Sequence, residues 1–124
     1  MIQTLAIAAG GAIGALLRFW ASNGVYALLG RGFPYGTLVV NVLGSLAMGY
    51  LYIVMIERAA LAPEWRAFAL VGLLGAFTTF STFSIETLTL IEQASYAKAL
   101  TNMVVSVFAC VGAAFVGVVL ARQL

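Results

Sequence analysis

Between Gly75 and Thr87 the chain reads GAFTTFSTFSIET, with hydroxyls at Thr78, Thr79, Ser81, Thr82, Ser84 and Thr87, phenylalanines at Phe77, Phe80 and Phe83, and a carboxylate at Glu86. Hydroxyl protons and the electropositive rims of aromatic rings are groups an anion can accept in place of water. The phenylalanines step by three while Thr78, Thr82 and Glu86 step by four, so rings and polar groups fall on neighbouring lines of a helix. Phe77 reads as packing. Phe80 and Phe83, threaded between donors, are candidates for edge-on contact with an anion.

A stretch so rich in hydroxyls offers the backbone alternative partners, and Gly72 and Gly75 just ahead of it weaken a helix further. The pattern predicts a break between Gly75 and Thr79, whose freed carbonyls suit a cation and whose freed N–H groups suit an anion. An unbroken helix with back-bonded hydroxyls is the alternative.

Three further stripes repeat every four residues. Thr37, Asn41 and Ser45 are the only side-chain hydrogen-bonding groups between Gly36 and Met48, and they share a stripe of about 80°. They can glue helices together or line a pathway. Asn102, Ser106 and Cys110 form a weaker version. Gly10, Gly14, Arg18 and Ser22 form the third, in which Arg18 can snorkel to an interface or draw an anion into a vestibule.

The elements that carry these residues follow from composition. Of 124 residues, 64% are hydrophobic and 8% charged, and four apolar runs, about 2–29, 33–56, 67–91 and 99–121, cover nearly everything. Each is long enough to cross a hydrocarbon core of about 30 Å. Without the period-two alternation of a barrel, helices are the structure that satisfies every backbone group in lipid. The fold expected is an all-α membrane protein, residues 1–124 forming a single domain of four transmembrane helices, the third broken near its middle. The first run lacks a basic leader and is about twice the length of a signal-sequence core, so it reads as a permanent helix.

Inventory narrows the chemistry. There is no histidine and no aspartate, which excludes His-based metal sites and Ser-His-Asp triads. No nucleophile and base pair can be identified, so an enzyme is not expected. A net charge of +2 is too small to suggest a nucleic-acid partner. Cys110, the single cysteine, reads as a small packing residue.

Orientation is set by Lys and Arg in short loops. Arg58, Arg66 and Arg122 fall on one side, Arg31 and Lys98 on the other, and Arg18 lies toward the second side. With almost no bias, dual topology is expected, and an antiparallel pair if the chain dimerises; a single orientation fixed by other details is the alternative. Gly10 with Gly14, and Ala109, Ala113 and Gly117, support close helix approach.

The motif GLLGAFTTFSTFSIE at residues 72–86, with NVLG at residues 41–44 and GAIGALLR ending at Arg18, resembles the Fluc (CrcB-type) fluoride channel family. The resemblance runs through all four helices. It implies a passive fluoride-selective channel of the bacterial inner membrane, an antiparallel homodimer of dual-topology subunits with two fluoride pathways and one central, structural sodium ion. It further implies that Phe80 and Phe83 turn ring edges to fluoride with Asn41 beside them, and that Gly75 and Thr78 give backbone carbonyls to the sodium. Ser81, Thr82 and Glu86 would form a polar track, Arg18 would lie near a vestibule, and Ser106 would contribute from the fourth helix; Thr37 joins the pathway on the reading of its own stripe. The family motif often has a second glycine where this chain has Ala76.

Rival readings are a proton-coupled exporter of small solutes, a fluoride/proton antiporter using Glu86, and a noncatalytic membrane assembly subunit. Small multidrug exporters need a carboxylate in the first helix, where this chain has Arg18 and, through residue 56, no acid.

Overall fold

The computed structural model describes residues 1–59 and 61–124. Four helices long and apolar enough to cross a membrane make up the chain: α1 (Ile2–Leu29), α2 (Tyr35–Arg58), a third span Pro63–Glu92, and α5 (Tyr96–Gln123). The third span is two helices, α3 (residues 63–77) and α4 (Phe80–Glu92), separated by Thr78 and Thr79. Helices outrun the apolar runs at several ends because helix signals, not hydropathy, set their limits. α3 begins at Pro63, whose missing N–H is harmless in a first turn, and α1 stops where Gly30 takes a left-handed φ of 83°.

Neither α2 nor the third span is uniform. The end of α2, Ile53–Arg58, and the stretch Ala67–Leu74 of α3 both run with wide, π-type turns.

Packing is pairwise, α1 chiefly on α3 and α2 on α5, with α4 resting on α5. Small residues allow it. A Cβ on Gly10 or Gly14 would run into the backbone of α3 at Phe68 or Leu73, and a Cβ on Gly49 or Gly117 would run into the facing backbone across the α2–α5 seam. Where lipid tails are as apolar as side chains, such close approach is what holds helices together. Gly14→Leu should therefore drive α1 off α3 at a cost of roughly 3 kcal/mol or more, read as a loss of the monodisperse species on size exclusion in detergent. The same change at Gly11, which has open space around it, should leave the elution profile as it is.

At one end of the molecule, Arg122 pairs with Glu57 at 3.3 Å and Arg58 donates to the Ala121 carbonyl at 2.8 Å. At the other, Lys98 donates to the Gly32 carbonyl at 3.0 Å. The first set ties α2 to α5, and the second ties α5 to the loop between α1 and α2.

Candidate functional site

The break falls inside the predicted window but is shorter than it. Gly75–Phe77 remain helical, and only Thr78 (φ −84°, ψ 158°) and Thr79 (φ −152°, ψ 116°) are extended. Two extended residues interrupt the i→i+4 ladder, and side chains take over its groups. Asn41 on α2 clasps Thr79 on both sides: its Nδ2 donates to the Thr79 carbonyl at 3.0 Å, and its Oδ1 accepts from the Thr79 N–H at 2.7 Å. The Thr79 hydroxyl then caps α4 by accepting from the Thr82 N–H at 3.1 Å.

These captures leave carbonyls behind. The Thr79 N–H is the donor that a continuous helix would give to the Gly75 carbonyl, and the Thr82 N–H is the one it would give to Thr78. Both are engaged elsewhere. Between them, Ala76 finds a different partner, since Arg18 Nε donates to its carbonyl at 3.0 Å. Arg18 thus sits at the break. A guanidinium at the C-terminal end of α3 also offsets that helix's dipole.

The hydroxyls divide by position. Thr78, Ser84 and Thr87 donate back to the carbonyls of Leu74, Phe80 and Phe83 at 2.8–3.0 Å, the arrangement expected of an unbroken helix. Thr79 and Thr82 donate and accept around the cap, their hydroxyls 3.1 Å apart, with Ser81 at 3.4 Å from Thr79.

Beside the break lies a groove of about 380 Å³. Its walls are Asn41, Gly44, Ser45 and Met48 of α2, Thr78, Thr79, Phe80 and Phe83 of the break and α4, and Ser106 and Cys110 among others of α5. Gly44 lets the break approach, for a Cβ there would collide with the Thr78 methyl and crowd the Phe77 ring. The Phe80 and Phe83 rings are 5.3 Å apart and tilted by 44°. Phe80 is 77% exposed in the single chain.

Of the residues singled out from sequence, Asn41, Thr78, Phe80, Phe83 and Ser106 meet in this groove. Thr37 and Glu86 do not. Glu86 belongs to a second, polar pocket of about 190 Å³ near Arg31, lined also by Tyr26, Gly32, Thr89 and Gln93, and Thr37 is buried beside it, reached through Tyr26. There the Tyr26 hydroxyl donates to Glu86 Oε2 at 2.8 Å and lies 3.4 Å from the Thr37 hydroxyl. Arg31 covers the Tyr26 ring, 4.5 Å from its centroid. The other oxygen, Glu86 Oε1, is buried and has no partner among the described residues.

Tyr26 was not among the residues picked from sequence, because a tyrosine near a helix end reads as an interface anchor. The signal that could have found it is the lone carboxylate of the third span, which needs a donor, together with Gly36, whose missing side chain makes room for the Tyr26 ring.

No cluster of three or more His, Cys, Asp or Glu side chains occurs among the described residues. Any cation at the break would rely on neutral oxygens.

A four-helix membrane protein whose third span is interrupted, with the interruption clasped from the second helix, is the class that fold and groove define. The chain belongs to the family described as "CrcB-like protein, Camphor Resistance (CrcB)", whose model matches residues 5–118. It is 52% identical over 98% of both chains to a protein of Magnetococcus marinus named "Fluoride-specific ion channel FluC". A Hydrogenovibrio crunogenus protein of that name is 47% identical over 99% of this chain and 93% of its own length. One from Methylococcus capsulatus, also so named, is 59% identical over 99% of this chain, which spans only 54% of that relative.

Proposed function

We propose that the chain is a subunit of a passive fluoride channel, working as an antiparallel homodimer of dual topology in the bacterial inner membrane and relieving cytoplasmic fluoride toxicity. The observation that carries the reading is the groove in which the Phe80 and Phe83 rings stand beside the Asn41 amide at a helix break. The names of the relatives agree with it.

Fluoride is small and tightly hydrated, so a pathway must replace its water with donors and positive ring rims. Phe80 and Phe83 supply the rims. Asn41 keeps one amide hydrogen beyond the one it gives to Thr79. Ser81 and Thr82 stand in the first turn of α4, where helix N–H groups and the dipole favour an anion. Arg18, bound to the Ala76 carbonyl at the break, adds a fixed positive charge there. Glu86 in the end pocket, tied through Tyr26 to Thr37, serves the mouth of the pathway. Each subunit contributes one groove, hence two pathways per dimer.

The exposed Phe80 and the exposed apolar face of α5 at Phe108, Val111 and Phe115 support a second copy as the groove's cover. The carbonyls of Gly75 and Thr78, each without its helical donor, fit a structural sodium ion. Two carbonyls are too few to surround a hard cation with oxygens, so the site draws on the same pair from a partner. When bound, that ion supplies fixed positive charge between the subunits.

The test is efflux from liposomes loaded with potassium fluoride after valinomycin is added. Rapid fluoride release that potassium chloride does not reproduce is expected. Equal chloride release removes the selectivity, release only under a proton gradient favours the antiporter reading of Glu86, and no release in either salt favours an assembly subunit.

A further inference from the structure

Behind the groove runs a chain of hydrogen bonds whose direction is forced link by link. The Phe83 carbonyl can only accept, so the Thr87 hydroxyl, 2.8 Å away, must donate to it. Having given its one proton, Thr87 accepts from the Asn102 side chain at 2.9 Å, which requires the amide nitrogen to face Thr87. The amide oxygen therefore faces Ser106, and at 3.3 Å the Ser106 hydroxyl is the donor. Asn102 is 2% exposed, Thr87 6% and Ser106 8%, so water does not compete for these groups. Ser106 is also a groove residue, and its only proton is turned away from the groove.

We propose that Asn102 is a positioning residue that withdraws the Ser106 hydroxyl proton from the groove, so that this wall presents lone pairs to a passing anion and does not grip it. The proposal rests on the reading of the groove as a fluoride pathway. It changes what Ser106 does there. A pathway needs enough donors to admit an ion and few enough to release it, and Asn41, the ring rims and the first turn of α4 already supply donors on the other walls. A fourth-helix serine free to donate would deepen the well at the middle of the route. The same chain holds α4 at the Phe83 carbonyl, on the residue whose ring the pathway uses.

The experiment measures fluoride efflux from liposomes as a function of internal fluoride concentration. Asn102→Leu removes the acceptor and frees the Ser106 proton to turn toward the groove; the half-saturating fluoride concentration should fall at least threefold. Thr87→Val, two links from Ser106 and outside the groove, removes the group that orients the Asn102 amide and should lower it in the same direction. Adding Ser106→Ala to either variant should restore the half-saturating concentration to within twofold of that of Ser106→Ala alone. A purely structural role for Asn102 would slow efflux without that restoration. No shift in both single variants, or a shift that survives Ser106→Ala, overturns the proposal while wild-type efflux stands. Wild-type protein that releases no fluoride overturns the pathway reading, and the proposal with it.

Discussion

Phe83→Ile should cut fluoride efflux by about a hundredfold while the protein elutes as the wild type does, and Phe80→Ile should do nearly the same. Isoleucine keeps the position apolar and roughly conserves bulk, a change that usually costs a folded core less than about 1.5 kcal/mol. Phe80 is exposed in the single chain, so its packing within the subunit is slight. What isoleucine lacks is the electropositive rim. In a groove with few polar groups that rim stands in for water around the ion, and withdrawing about 2.7 kcal/mol of stabilisation from the highest point of the route is a hundredfold in rate. The two rings contact each other at a 44° tilt, so each fixes the other's orientation and their losses should not add. If both single variants release fluoride at the wild-type rate, the rings are packing alone. Phe77→Ile is the control. Its ring lies against Gly44, on the helical side of the break, and the substitution should change stability more than efflux.

How much of this was legible in the sequence depends on the kind of interaction. Four spans were legible because lipid leaves the backbone no choice. The break was legible as a region, since Gly72, Gly75 and a run of hydroxyls all point to one place, but its two residues were not. Thr79 is where Asn41 reaches in from another helix, and the Thr79 hydroxyl caps the helix that follows. The same limit applies to the stripe of Thr37, Asn41 and Ser45. Its period of four places the three on one face of α2, yet they meet different neighbours: Tyr26 at the first, the break at the second, the groove at the third. A helix face has one periodicity but crosses several partners along its length, and only the crossing geometry tells which. Arg18 makes the point for a charge. Interface and vestibule were the readings its position allowed, and its observed partner is a carbonyl that exists as a free acceptor only because the third span is broken.

Asn41→Leu should be the most destructive single change outside the glycine seams. Leucine fits the volume but can neither donate to the Thr79 carbonyl nor accept from its N–H. Both backbone groups would then lose their partner, each costing about 1–3 kcal/mol where it stays unsatisfied. The segment can avoid that cost only by closing the break into continuous helix. Closure would give the Thr79 N–H back to the Gly75 carbonyl and the Thr82 N–H back to Thr78, which removes the two carbonyls offered to a cation and rotates Phe80 and Phe83 relative to α3. The expected result is efflux lowered at least as far as by the phenylalanine variants, together with a lower unfolding midpoint and loss of any sodium dependence of that midpoint. Asn41→Leu protein that keeps wild-type efflux and stability would mean that the clasp follows from the break and does not create it. Asn41→Gln separates position from chemistry: it retains the amide but carries it one methylene too far, so efflux should fall while the unfolding midpoint drops less than in Asn41→Leu.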